Sequence, residues 1–319
     1  MVRVHAGPGT RAIASLVAVL LGVVACVIAW ARYSSSSVDG DFYVAIENVP
    51  RQQPGPTVAG PEASTGSFLS DCGRNRNGHR NHDNLITAPG ERGGAHHLHE
   101  YVGNVSTDAY STDSSLAAAS TTCSNGDTST YYWPVLRAAL SADGAHGAHG
   151  GEVLHPSSVQ VRFEGSSTSQ VVAMPRFLRI VAGDSKAATS ADPVALARWG
   201  CTGSPGRYTF LYPRCPSGQR VVRMFEFPSC WDGRRIDSAD HRAHVAFPTR
   251  DGSCPPSTFP VPRLQVRLTY TVPPGQEYTV DALPDQKRSP LTDHADFINV
   301  MPQPLIARAV ACINTGRDC

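Results

Sequence analysis

The sequence predicts a mainly β, disulfide-bonded domain, a sandwich or jelly-roll-like arrangement with short helices, behind an N-terminal transmembrane segment. Three observations carry this expectation. Several segments alternate apolar and polar residues at period two. Gly (28) and Pro (25) are abundant among the 319 residues, as suits a chain of many turns rather than a helical bundle. Nine cysteines are many for a cytosolic enzyme.

The N-terminal element comes first. Ala12 to Ala31 is a run of twenty apolar or small residues between Arg11 and Arg32. At 1.5 Å rise it spans about 30 Å, the hydrocarbon thickness of a bilayer. A cleaved signal has a shorter apolar core of about 7–15 residues. Residues 1–33 therefore read as a signal anchor in the cytoplasmic membrane. Arg3 and Arg11 put its N-terminus in the cytoplasm and the main domain outside. Two alternatives deliver the domain to the same side: secretion after cleavage, and lipidation at Cys26.

Residues 34–66, rich in Ser, Pro and Gly, read as a flexible linker. Residues 67–319 are then the exported β domain. With Cys26 inside the anchor, eight cysteines remain, and an even exported set reads as four disulfides. Cys312 with Cys319 is the nearest pair. No C-x-x-C spacing suggests a thiolate metal site.

Within the domain, Val159 to Phe163 and Leu264 to Val272 alternate most clearly. Phe177 to Val181 and Tyr208 to Tyr212 read as more buried strands. Two short helices are expected. One runs from Asp192-Pro193 to Trp199, with a capping residue, Pro in the first turn and Gly200 at the exit. The other runs from Leu305 to Ile313.

A formal net charge of +1 gives no basic surplus to argue for a nucleic-acid partner. The chain has no G-x-S-x-G, H-E-x-x-H, P-loop or G-x-G-x-x-G motif. What it has is clustered histidine and aspartate. In His96-His97-Leu98-His99 an extended backbone puts His97 and His99 on one face, where two imidazoles can share a metal ion. A second cluster holds Asp237, Asp240, His241 and His244. A third holds His294 and Asp296. Neutral imidazoles with carboxylates suit a divalent transition metal.

These residues divide into expected roles. His97, His99, His244 and His241 are the candidate metal ligands. Asp240, His294 and Asp237 are the candidates for orienting those ligands or moving protons. Asp296 and the aromatic residues Trp231, Tyr131 and Trp133 are candidate ligand-binding groups. A Trp beside a cysteine also packs on a disulfide, so Trp231 has two readings. Paired carboxylates for glycoside hydrolysis, such as Asp237 or Asp240 with Glu100, remain open.

The segments AHHLHEYVGN, DTSTYYWPVL, FPSCWDGRRIDSADHRAHVAFP and HADFIN occur in that order. Together they resemble the domain-of-unknown-function family numbered nineteen-ninety-six, found in secreted fungal and actinobacterial proteins. The resemblance covers roughly Asn84 to Cys312. It implies that His97, His99, Asp237, His241, His244, His294 and Asp296 stand at motif positions in an extracellular, disulfide-bonded domain. HADFINVMP lacks the Trp associated with the end of the last motif. An actinobacterial source also fits the basic residues: of 28, only Lys186 and Lys287 are lysine, as GC-rich coding favours.

The function expected is an extracytoplasmic His/Asp-lined pocket, metal-binding, acting on a cell-surface or extracellular polysaccharide as a metal-dependent hydrolase or lyase. The alternative is a non-catalytic cell-wall or glycan-binding module.

Overall fold

The computed structural model describes residues 42–52, 59–139, 151–190 and 197–319. The apolar run, Cys26, His146 and His149 lie outside the described residues. Among the described residues no helix is long and apolar enough to cross a membrane. The chain divides into two units, Met1–Tyr43 and Val44–Cys319, and the second holds everything below.

That unit is mainly β, as expected. Ten strands form two five-stranded antiparallel sheets. In chain order they are β1 (Ser67–Ser70), β2 (Arg80–Asn81), β3 (His99–Gly103), β4 (Thr130–Pro134) and β5 (Ser158–Glu164). Then follow β6 (Arg179–Gly183), β7 (Arg198–Cys201), β8 (Val221–Glu226), β9 (Arg263–Tyr270) and β10 (His294–Ile298). One sheet has the order β7-β8-β9-β5-β1 and the other β2-β3-β4-β10-β6. The alternation in Leu264–Tyr270 and Val159–Phe163 reappears as the paired strands β9 and β5, with Val266 opposite Val161.

The sheets meet through aromatic side chains. Phe163 of β5 lies 6.5 Å from Tyr131 of β4 and 6.0 Å from Phe297 of β10, ring centre to ring centre. Tyr131 stacks on Phe297 at 5.2 Å. A polar group is buried here too. Arg223 of β8 and Asp293, the residue before β10, are fully buried and paired, with Arg223 Nε donating to Asp293 Oδ2 at 2.7 Å. Arg223 Nη1 also donates to the Pro134 carbonyl at 2.9 Å.

Side chains alternate across each strand. Glu100, Trp133 and Phe297 therefore turn into the space between the sheets. Their neighbours His99, Tyr101, Tyr132, His294 and Asp296 turn to the opposite face of the second sheet, which loops cover.

Four disulfides join Cys72–Cys123, Cys201–Cys215, Cys230–Cys254 and Cys312–Cys319. They mark a domain that matures in an oxidising compartment, as an extracellular domain does. The 12-residue helix Gln303–Asn314 contains the helix expected over Leu305–Ile313.

Other elements differ from expectation. Arg198 and Trp199, expected at a helix end, belong to β7, because Trp199 is wholly buried and pairs with Arg223 of β8. Residues 192–196 of that expected helix lie outside the described residues. The strand expected at Tyr208–Tyr212 is a single bridge at Thr209, and the strand there is Tyr212–Arg214. Phe177 sits in a turn at φ 69°, so its strand starts at Arg179. A helix at Asp113–Ala118 was not expected. Its signal was Thr112, which caps it reciprocally with Ser115. The stretch read as linker also carries structure. Ile46 is fully buried against Val49 and Cys201, and Ser64 Oγ donates to the Ser169 carbonyl at 3.0 Å.

Glu100 yields a testable consequence. Its side chain is fully buried, Oε1 accepts from Trp133 Nε1 at 2.9 Å, and Oε2 has no hydrogen bond among the described residues but lies 3.6 Å from Arg80 Nη2. Burial raises its pKa above the usual value of 4.5, against the lowering effect of Trp133, Arg80 and Arg223. A carboxyl with a raised folded-state pKa contributes most stability below its unfolded pKa. That contribution is lost as pH rises through the folded value. Glu100→Gln keeps an acceptor for Trp133 and removes the charge. It should raise the melting temperature at pH 8, with the gain vanishing below about pH 4.5. A Gln variant that melts lower than wild type at pH 8 would contradict this.

Candidate metal centre

The covered face of the second sheet brings three histidines to one point. His99 opens β3, His97 precedes it, and His294 opens β10. Their Nε2 atoms are 3.0 Å (His97–His99), 3.2 Å (His97–His294) and 3.3 Å (His99–His294) apart. All three rings are buried. Nitrogens held at about 2.0–2.1 Å by a tetrahedral ion stand roughly 3.3–3.4 Å from one another. The observed spacing is close to that.

Hydrogen bonds on the far side of the rings settle which nitrogens face inward. His99 Nδ1 lies 2.9 Å from the Asp83 carbonyl, and His294 Nδ1 lies 2.9 Å from the Thr292 carbonyl. A carbonyl accepts only, so both Nδ1 atoms carry the proton and both Nε2 atoms present lone pairs. His97 Nδ1 makes no hydrogen bond of full geometry, although the Ala95 backbone is near. That ring can place its proton on either nitrogen.

Burial pushes the His97 pKa down to about 4 and those of His99 and His294 well below the usual value. His97 lowers both His99 and His294 further, and His294 also lowers His99. The rings are therefore neutral, the form that binds metal.

Two aspartates hold this arrangement. Asp83 accepts from Gly93 N at 2.7 Å and Ala109 N at 3.0 Å through its carboxylate, while its carbonyl also accepts from Tyr101 Oη at 3.1 Å. Asp281 Oδ2 accepts from Leu98 N at 3.0 Å, between two of the histidines, and from Arg137 Nη2 at 3.1 Å. Neither aspartate was singled out from the sequence. The one hint for Asp83 was its place in GHRNHDN, just ahead of the first cluster.

Asp296 follows His294 on the same face. Its Oδ2 is 4.0 Å from His294 Nε2, and neither carboxylate oxygen has a hydrogen bond among the described residues. Burial pushes its pKa up to about 7, opposed by the Asn84 side chain and the Arg242 charge. His97, His294 and Asp296 line a cleft of about 400 Å3, rimmed by Glu91, Asp184, Lys186 and Arg242.

A family model described as a domain of unknown function, DUF1996, matches residues 84–300. The chain belongs to the DUF1996 family. No curated protein and no solved structure matches the chain. The DUF1996 match includes all three clustered histidines, Asp296 and Arg242, and stops one residue short of Asp83.

The other expected site residues of this DUF1996 domain stand elsewhere. His244 is buried, with Nδ1 2.9 Å from Ser238 Oγ and Nε2 2.7 Å from the Arg179 carbonyl, so both nitrogens are taken. His241 pairs with Asp237 at 2.9 Å in a half-buried loop, at φ 55°. Asp240 is exposed and caps that loop, accepting from Ser238 Oγ, Arg242 N and Ala243 N. These hydrogen bonds hold its pKa below the usual carboxylate range. Tyr131 and Trp133 lie in the core, donating to Asp127 and Glu100. Trp231 is half-buried and donates to the Arg235 carbonyl at 2.6 Å. A second cluster, Cys72, Cys123 and Asp127, offers no thiolate, because its sulfurs form a disulfide.

His244→Ala should therefore cost about 1–3 kcal/mol of stability, the penalty for stranding buried hydrogen-bond partners. It should leave metal stoichiometry unchanged. Loss of metal at unchanged folding would show that His244 belongs to the centre.

Proposed function

We propose that this DUF1996 domain is a metal-dependent hydrolase acting on an extracellular polysaccharide, with one zinc-like divalent ion on His97, His99 and His294. The observation that carries this is the convergence of three buried Nε2 atoms within 3.0–3.3 Å, facing a cleft that also holds an unpartnered carboxylate. Three imidazoles leave a zinc ion its fourth position, and a water there has its pKa lowered to about 7. Asp296, whose Oδ2 lies 4.0 Å from His294 Nε2, would be the group that holds or accepts a proton beside the ion. In hydrolysis of a glycosidic bond the proton of the attacking water would pass through Asp296 to the leaving sugar oxygen, as the C–O bond to that oxygen breaks and one to the water oxygen forms.

The exported setting and a cleft of mostly polar lining support a hydrated, hydroxyl-rich substrate. The run at residues 12–31 would tether the domain to the membrane. The rival reading, a passive glycan-binding module, loses support because Tyr131 and Trp133 are buried in the core.

The test is metal-dependent hydrolysis of p-nitrophenyl acetate, a generic probe of metal-bound hydroxide, alongside product release from a polysaccharide panel. Zinc-loaded protein should show both, and Asp296→Asn should lose about 100-fold in rate while keeping its zinc. A zinc-loaded protein no faster than the His294→Ala variant would refute the hydrolase.

A further inference from the structure

We infer that Arg242, with Lys186, is the anion-recognising arm of this cleft, so that the substrate is a glycan carrying a carboxylate or sulfate near the bond attacked. This inference deepens the proposed function and rests on it.

Arg242 is fixed beside the candidate centre. Its Nη2 donates to the carbonyl of Gly183, and Gly183 is the residue paired with His294 between β6 and β10. The guanidinium is near enough for its charge to act on both His294 and Asp296. It lines the same cleft as they do.

Three arginines with largely buried side chains have carboxylate partners: Arg137 has Asp281, Arg179 has Asp113, and Arg223 has Asp293. Among the described residues Arg242 has none. A guanidinium carries five N–H donors in a planar fork that matches an oxyanion. Only one of its nitrogens is committed, to Gly183, so much of the fork is left for a ligand.

Lys186, one of only two lysines in the chain, is exposed at the same cleft. It too has no ion pair among the described residues. Three carboxylates, Asp296, Glu91 and Asp184, also face this space. Arg242, Lys186 and the two charges of a bound ion outweigh them, so the loaded cleft is net positive. An uncharged glycan needs neither cation, whereas an acidic one uses both.

The experiment uses the full chain in detergent, zinc-loaded and chelator-stripped. Calorimetry follows binding of oligogalacturonate, a sulfated oligosaccharide and a neutral oligosaccharide of equal length. The acidic probes should bind at least tenfold more tightly than the neutral one. Whichever acidic probe binds better decides between carboxylate and sulfate.

Arg242→Gln should weaken acidic binding about 10–100-fold at unchanged zinc stoichiometry and melting temperature, and Arg242→Lys should recover part of it. Equal binding of the neutral probe, no binding of either acidic probe, or wild-type affinity in Arg242→Gln would each overturn the inference. Zinc binding without acidic preference would sink the arm and leave the metal centre standing. Acidic binding through Arg242 in a protein that takes up no zinc would sink the centre and leave the arm.

Discussion

Replacing His99 by alanine is expected to weaken zinc binding by more than 100-fold and to cost the metal-free protein about 1–3 kcal/mol of stability. Both halves follow from one geometry. His99 supplies one of only three nitrogens, and groups that merely orient a ligand already account for about 10–100-fold in affinity. Its removal leaves two nitrogens in a buried site. In the metal-free protein the same buried ring donates to the Asp83 carbonyl at 2.9 Å and lies 3.0 Å from His97 Nε2, which can carry the proton between them. Alanine loses both contacts, although Tyr101 Oη still donates to the Asp83 carbonyl. Competition against a chromophoric chelator and a thermal melt with and without zinc read the two effects. Zinc should raise the melting temperature of wild type by a concentration-dependent amount and leave the variant unmoved.

The second large effect is expected at the buried pair between the sheets. Arg223→Met leaves Asp293 as an unpartnered carboxylate in a fully buried setting. Breaking such a pair costs about 3–5 kcal/mol, which in a domain of this size lowers the melting temperature by on the order of 10 °C. The double variant Arg223→Met with Asp293→Leu should recover a large part of the loss, because it strands no charge. Arg223 also stacks over Trp199 at 5.4 Å and Phe225 at 5.0 Å, so the methionine keeps some packing. Asp293 immediately precedes His294, so the single variant should also loosen zinc binding. If Arg223→Met melts within a degree of wild type, the pair is not what pins the start of β10.

Period-two alternation made much of this legible in the sequence. It placed β5 and β9 nearly in full. It also gave the logic of the centre, since His99 with Tyr101, and His294 with Asp296, fall on one face of their strands. The same alternation explains the hidden part. Tyr131 and Trp133 sit on the opposite face, which the other sheet covers, and no local pattern says which face of a two-sided strand stays open. His244 and Asp240 looked like metal chemistry because Asp, Ser and His cluster there. Yet these short side chains also cap turns, and in this loop they bond backbone and one another. The convergence of His294 with His97 and His99 spans about two hundred residues of chain and depends on β3, β4 and β10 lying side by side. Spacing along the sequence carries no such information. Arg242 and Asp83 were hard to see for a related reason, since Asp83 holds His99 through its backbone carbonyl and Arg242 reaches the cleft by way of Gly183, which pairs with His294.

The central claim is that His97, His99 and His294 hold one ion. The most direct measurement is a crystal structure of zinc-loaded protein with anomalous data collected on both sides of the zinc edge. The expected result is one strong peak per chain, about 2.0–2.1 Å from each of the three Nε2 atoms. A zinc peak at His241 and Asp237 instead, or none at saturating zinc with the three rings in place, would contradict it.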